Sequence, residues 1–339
     1  IFDPLVGPPP GWSAPKGYGQ AFSEALIELA EEDPRIHAIT AAMGGPTGLS
    51  PFQARFPERF HDVGIAEQHA VTMAAGMAMG GLRPVVAVYS TFFTRAFDQA
   101  NLDVGLHGLP VVFAFDRAGI TGDDGASHHG VLDMALCLRI PGMTVMAPSS
   151  SQEVRTMLRH SLTIDGPVSI RWPKGNAYSA CPDEVGQELR ARRASYHSGE
   201  QGDVCFLGVG RMVQEAAEAA AKLEAEGIRA TVWDARIVKP LDAAMIADAA
   251  RHRLVVTVED GVQVGGAGST MAAALVEYAT MRGRPIPRVL QCGTPDRYIP
   301  HGRPEWILAD LGLDAAGLKE RALKGLDGDG PMSVTEAEP

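Results

Sequence analysis

Positive charge is in short supply in this 339-residue chain: 30 lysines and arginines stand against 41 acids, for a net charge of −11. That balance argues against a nucleic-acid surface, which needs a clustered basic face. Long apolar runs are missing too. No stretch approaches the ~20 residues of a membrane span, and no signal-peptide pattern stands at residue 1. Neither nucleic acid nor membrane is therefore expected as a partner. Cysteine is sparse: Cys137, Cys181, Cys205 and Cys292 are widely spaced and form no paired metal-ligand motif. Three of them lie in or beside apolar segments, so buried free thiols are expected, and with them a reducing, cytoplasmic setting. There is no initiator methionine. The opening "IFDPLVGPPPGWSAPKGYG" is rich in proline and glycine and reads as a linker, which implies a longer parent protein.

What is present is a globular composition, 45% hydrophobic and 21% charged, in a chain long enough for two domains. Short runs apolar on both faces predict strands at Ile36–Ala41, Val85–Ser90, Val111–Asp116, Thr144–Ser149 and Val168–Trp172. Helical spacing between them predicts helices at Phe22–Glu31, Ala66–Met79, Phe93–Leu106 and Gln152–Leu162. The pattern lapses near residues 176–202, then resumes with "DVCFLGVG", "VQEAAEAAAKLEAEG", "RATVWD", "RLVVTVED", a helix at Ser269–Met281, "RVLQCG" and a helix near Ala315–Lys324. The expected fold is α/β, two α/β domains with mainly parallel sheets. The expected division is a linker at 1–17, a first domain at 18–178, a linker at 179–201, a smaller second domain at 202–325 and a flexible tail at 326–339.

Glu67 stands out. It heads the run "EQHAVTMAAGMAMGG", whose helical faces are otherwise small or apolar; a helix apolar nearly all round is a buried one. A carboxyl there either favours the positive end of the helix or does chemistry. Ligands of open α/β sheets bind beyond the carboxyl ends of the strands, and unusual residues gather at those ends. Tyr89, Phe92, Phe93 and Phe97 surround Arg95 in "YSTFFTRAFDQ", and Arg117, Asp123, Asp124, His128 and His129 share "DRAGITGDDGASHHG". Arg171 and Lys174 follow in "RWPKGN". An aromatic, anionic ligand suits such a set. The duller readings are core packing for the aromatics, an Arg95–Asp98 surface pair, and solvated turn cations for Arg171 and Lys174. The Asp/His loop matches no metal-ligand spacing closely, so no metal ligand is assigned. "GVGRMV" lacks the third glycine of the dinucleotide fingerprint and reads as a tight strand-to-helix turn.

Taken together, "DVGIAEQHAV", "YSTFFTRAFDQ", "DRAGITGDDGASHHG", "RWPKGN" and "VEDGVQVGGAGS" resemble the 1-deoxy-D-xylulose 5-phosphate synthases, within the thiamine diphosphate-dependent transketolase family. The resemblance runs from about Phe2 to the last helix and covers the pyrimidine-binding and C-terminal domains of a three-domain architecture. It implies that Glu67 contacts a ring nitrogen of the cofactor's aminopyrimidine, where a carboxyl can share a proton. It implies that Tyr89 and Phe92 enclose that ring and that Ile65 props the cofactor in a bent shape. Arg95 matches a ligand of the glyceraldehyde 3-phosphate phosphate, and Asp124 and His128 match groups that orient hydroxyls and move protons. Arg117 matches a further active-site arginine. Lys174 departs from the pattern: many members carry arginine there as a second phosphate ligand, and lysine lacks its bidentate fork. The implied reaction joins pyruvate to glyceraldehyde 3-phosphate with loss of carbon dioxide.

The resemblance also implies magnesium, whose ligands are expected in an N-terminal diphosphate-binding domain that lies before Ile1 or on a partner subunit. The "GDG" at Gly328–Gly330 lacks the following asparagine and reads as a decoy. A homodimer is the family's usual assembly. Two rival readings stand beside this one. The chain could be the β subunit of a 2-oxo acid dehydrogenase or the C-terminal half of a split transketolase, or else a non-catalytic interaction module that kept the fold.

Overall fold

Val- and Ile-rich runs that bury both faces build the two sheets at the centre of the molecule, because helices cover a parallel sheet from both sides. The computed structural model describes residues 17–177, 190–195 and 202–328. Its strands are β1 (Ile36–Thr40), β2 (Phe60–Asp62), β3 (Arg83–Tyr89), β4 (Val112–Asp116), β5 (Thr144–Met146), β6 (Val168–Arg171), β7 (Arg192–Ser195), β8 (Val204–Gly208), β9 (Ala230–Asp234), β10 (Ile237–Lys239), β11 (Leu254–Val262) and β12 (Arg288–Thr294). The first sheet has seven strands in the order β10-β5-β6-β4-β3-β1-β2, and the second has five in the order β12-β11-β8-β9-β7. All pairings are parallel except β10 on β5 and β7 on β9. The expectation of an α/β fold with mainly parallel sheets is borne out.

The helices are α1 (Tyr18–Glu32), α2 (Ser50–Arg55), α3 (Glu67–Met79), α4 (Phe97–Gln99), α5 (Asp133–Arg139), α6 (Ser151–Ser161), α7 (Met212–Glu224), α8 (Ala243–Ala249), α9 (Ala267–Met281), α10 (Pro304–Asp310) and α11 (Ala315–Asp327). Side-chain caps begin several of them. Ser150 accepts from Glu153 N at α6, Asp242 from Ala244 N and Met245 N at α8, and Asp314 from Gly317 N at α11; each cap is worth about 1 kcal/mol. One expected helix is corrected. Phe93–Leu106 is not a regular helix but a 3₁₀ segment at Ser90–Ala96, the short α4, and a π segment at Ala100–Gly105. The pitch changes along the stretch, and its apolar spacing alone does not record that.

One face of the first sheet packs Phe22, Leu26 and Leu29 of α1 and Val154 of α6 against Trp172 and Ile170. The opposite face packs α3 and Phe93, and that core continues without a break into Cys205, Leu207 and Val255 of the second sheet. Each such fully buried side chain contributes about 1.5–3 kcal/mol. Cys137, Cys205 and Cys292 are buried and free; Cys181 lies outside the described residues, as do Asp329 and Gly330, residues 1–16 of the first expected linker and most of the second at 179–201. The second is corrected in part: Arg192–Ser195 within it form β7, paired with β9. No helix among the described residues is long and apolar enough to cross a membrane.

Candidate active site

β2 ends in a loop that carries the chain into α3. Asp62 Oδ1 accepts from Ala42 N at 2.8 Å and from Gly64 N at 3.0 Å, which fixes that loop. Glu67 is the first residue of α3 and is 3% exposed. Its Oε2 is buried with no hydrogen-bond partner. Arg95 Nη1 stands 3.8 Å away, close enough for charge attraction and too far for a hydrogen bond. Arg95 is thus drawn to Glu67. Ile65, two residues earlier, is 78% exposed.

The aromatic run divides. Phe93 turns inward, 4.5 Å from the ring of Phe115 and 5.7 Å from that of Phe113, and belongs to the core. Tyr89 and Phe92 stay half-buried and stack on each other at 5.7 Å with 14° between their planes. The Phe92 ring meets His128 edge-on at 5.5 Å, and the Arg117 guanidinium lies 4.2 Å over Tyr89. Arg117 Nη1 approaches Asp124 Oδ2 at 3.4 Å, while Lys174 Nζ donates to both Asp124 oxygens at 2.9 and 2.8 Å. The bonded Lys174, then Arg117, hold the Asp124 carboxyl below the usual carboxylate range. Lys174 therefore arrives already paired. The structure brings Tyr89, Phe92, Arg117, Asp124, His128 and Lys174 into one cluster at the ends of β3, β4 and β6; Glu67 and Arg95 form a second pair on α3 and the 3₁₀ segment packed beside β3. A cleft of about 460 Å³ opens at Lys174, and Thr121, Asp123, Arg211 and Glu305 are among the residues that line it.

The loop after β4 is held in an unusual shape. Arg117 takes φ +58, a region non-glycine residues rarely adopt, and such strain gathers at functional sites. Gly119 and Gly130 exchange backbone hydrogen bonds at 2.7 and 2.9 Å. His129 is buried: Thr121 N donates to its Nδ1 at 3.1 Å, so Nε2–H donates to Pro300 O at 3.2 Å.

Arg171 corrects the reading as a solvated cation. It is 4% exposed, its Nε donates to Asp133 Oδ2 at 2.8 Å, and its Nη1 donates to Asp260 Oδ1 at 2.6 Å. Burial would lower the guanidinium pKa, but the charges of Asp133 and Asp260 raise it. Nη2 also reaches Gly130 O at 3.5 Å, so Arg171 supports the end of the Asp124–His128 loop. Sequence reasoning also missed Asp116, the last residue of β4, whose buried carboxyl is pushed up to about 6. Glu259 is pushed up to about 7 by burial while it accepts from Ala267 N and Gly268 N at the start of α9. Polar residues closing apolar strands were the available signal.

Residues 15–179 match the family model of the transketolase pyrimidine-binding domain, and residues 194–318 match that of the transketolase C-terminal domain. A 1-deoxy-D-xylulose-5-phosphate synthase from Magnetococcus marinus is 46% identical over 94% of this chain and 50% of its own length. A second, 1-deoxy-D-xylulose-5-phosphate synthase 1 from Geobacter sulfurreducens, is 48% identical over 89% of this chain and 47% of its own. The chain spans about half the length of the curated relatives it matches. A solved structure described as "Split gene transketolase, inactive beta4 tetramer" has a TM-score of 0.80 at 31% identity, covering 93% of this chain and 99% of that one.

Proposed function

The chain belongs to the transketolase family, and from that premise we propose that it supplies the pyrimidine-binding half of a thiamine diphosphate site. The reaction we assign is the condensation of pyruvate with glyceraldehyde 3-phosphate to 1-deoxy-D-xylulose 5-phosphate. A carbon–carbon bond forms at the aldehyde carbon as the pyruvate carboxylate leaves as carbon dioxide. The observation that carries this reading is Glu67, a buried carboxyl whose Oε2 has no hydrogen-bond partner and so has bonding capacity left for a ligand. The residues fit the cofactor's pyrimidine end: an unsatisfied carboxylate oxygen for a ring nitrogen, and the half-buried pair Tyr89 and Phe92 for a flat heterocycle.

When bound, thiamine diphosphate supplies the electron sink that lets the carboxylate depart. Glu67 holds or passes a proton at Oε2, and Arg95 keeps a positive charge beside it. Ile65, exposed here, would pack on the cofactor. Arg117, Arg95 and Lys174 offer cations to the carboxylate and phosphate of the substrates. Asp124 and His128 orient hydroxyls and move protons. Because Lys174 is bonded to Asp124, a substrate phosphate must compete with that carboxylate for it.

The described residues contain no group of three His, Cys, Asp or Glu that could hold a metal. We assign magnesium and the diphosphate ligands to an N-terminal domain of a longer chain. A second reading places them on a separate partner subunit; the match to 99% of a split-gene transketolase chain favours it. A homodimer is proposed by analogy with the family in either case. The domain division at 18–178 and 202–325 is part of the same proposal.

The test mixes the purified chain with a diphosphate-binding domain from a related synthase and assays pyruvate with glyceraldehyde 3-phosphate. The chain alone should bind cofactor weakly and not turn over. The mixture should form product, and Glu67→Gln should lower its rate by about 10² or more. Turnover by the chain alone would sink the half-site reading, and a lipoyl acceptor used in place of the aldehyde would move the reaction to the dehydrogenases.

A further inference from the structure

The turn that leaves β4 is tied down on both sides of a single residue. Trp172 N donates to Phe115 O at 3.0 Å, and Ala118 N donates to Trp172 O at 2.9 Å. The end of the strand and the far side of the turn thus share one anchor, the residue that follows β6. Between them stands Arg117 at φ +58, where glycine would be the unstrained choice. Its backbone N–H donates to Asp116 Oδ1 at 2.7 Å, a bond strengthened by charge when the carboxyl is ionised.

Asp116 is itself firmly placed. Its Cα is the register partner of Tyr89 across β3 and β4, and its side chain is buried. A methyl group on Gly19, in the first turn of α1, would lie 3.9 Å from Asp116 Oδ2. The carboxylate therefore sits near the amino end of a 15-residue helix, the end that favours negative charge. The Arg117 side chain is tied less firmly than its backbone. Nη1 reaches Asp124 Oδ2 at 3.4 Å, and Nε is buried with no hydrogen-bond partner. Asp124 is taken up mainly by Lys174, at 2.9 and 2.8 Å. The direction of the guanidinium over Tyr89 thus depends on where the turn sets the Arg117 backbone, and its buried unbonded donor leaves capacity for a ligand.

We infer that Asp116 is a positioning residue: by bonding Arg117 N it fixes the left-handed turn, and through the turn it aims the guanidinium over Tyr89 and toward the anionic groups of the substrates. The substrate part rests on the function proposed above, whereas the aim of Arg117 is a property of this chain alone. The competing explanation is that Asp116 only closes β4 and braces the fold. Burial disfavours its charged form, so a residue kept only as a brace would do as well as asparagine.

Nuclear magnetic resonance of the isotope-labelled 339-residue chain, at a pH above the Asp116 titration, separates the two. The Arg117 Nε–Hε signal, assigned by its loss in Arg117→Lys, should be shifted upfield by the Tyr89 ring, and Tyr89→Leu should abolish that shift. Asp116→Ala should abolish it too, while the Nε–Hε signal of Arg171, bonded to Asp133, stays in place. Asp116→Asn, which keeps an acceptor oxygen, should restore part of the shift. Should Asp116→Ala fail to fold, Asp116→Glu, whose carboxylate is displaced by one methylene, carries the same prediction. With the diphosphate-binding domain added, Asp116→Ala should raise the KM of a substrate about tenfold or more at nearly unchanged kcat, and Asp116→Asn should raise it less. An unshifted Arg117 signal in the wild-type chain, a shift that survives loss of the Asp116 carboxylate, or an unchanged KM in an active mixture would each overturn the inference. A wild-type mixture without turnover would count against the assigned reaction instead, and the resonance result would still decide the role of Asp116.

Discussion

Asp116 shows how far one buried carboxyl can shape the behaviour of the molecule. It is 7% exposed, and burial pushes it from 3.8 to about 6 although Arg117 N donates to it at 2.7 Å. A carboxyl raised on folding contributes stability that is complete below the unfolded pKa and is lost as pH rises through the folded one. The loss therefore falls between about pH 4 and pH 6 and amounts to about 3 kcal/mol at most. Asp124, lowered by Lys174, acts with the opposite sign: its contribution is present above 3.8 and disappears on acidification. Asp116→Asn should flatten the stability profile between pH 4 and pH 6 and raise stability at pH 7.5, as read by urea denaturation at several pH values. An unchanged slope would remove Asp116 as its source. At this scale the sequence is uneven. Glu67 is legible because a carboxylate heading an apolar helix is conspicuous. Asp116 and Asp260 are not, because Asp116 closes an apolar strand and Asp260 lies near the end of one, and each looks like its polar end. Arg171 reads as a turn cation because its two partners lie 38 and 89 residues away.

Among the elements, the loop after β4 depends most on glycine. Gly119 sits at φ +76, and a methyl group on it would lie 2.0 Å from Asp260 Oδ2. Gly64 has a similar φ of +71 with nothing within 4 Å. The two positions separate backbone strain from collision. Gly64→Ala should cost about 1–2 kcal/mol, and Gly119→Ala about 2 kcal/mol more, with Arg171 losing its grip on Asp260. Equal losses in denaturant titrations would mean that the loop shifts freely off Asp260. Strands and long helices are readable from the sequence because burial on both faces and helical spacing leave a pattern over many residues. Residues 90–105 defeat that reading. Phe93 is held in the core by Phe113 and Phe115 while Phe92 stacks on Tyr89 and Arg95 turns to Glu67. Meeting all three partners, the backbone runs tight and then wide.

At the scale of the whole molecule, the two α/β sheets follow from the alternation of strand and helix along the sequence, but their attachment does not. β10 is three residues long, antiparallel, and drawn from the second half of the chain onto the edge of the first sheet, where Ile237 pairs with Met146. Nothing in "IVK" announces that partner. The apolar core crosses between the sheets, and Arg171 bonds to Asp133 and Asp260 at their junction. A polypeptide ending at residue 177 would take Asp260 from Arg171 and leave β5 as an open edge, a surface prone to pairing with other chains. Such a fragment should elute as aggregates in size-exclusion chromatography and melt well below the whole chain; a monomer of undiminished melting temperature would show the first sheet to be self-sufficient. The same strand bears on how the chain is made. About 90 residues separate Met146 from Ile237, so at cellular rates of translation the edge of the first sheet waits roughly 5–20 s for its last strand. A nascent chain of this protein thus passes through an interval in which chaperones, or a neighbouring copy on the same messenger, meet an unfinished sheet.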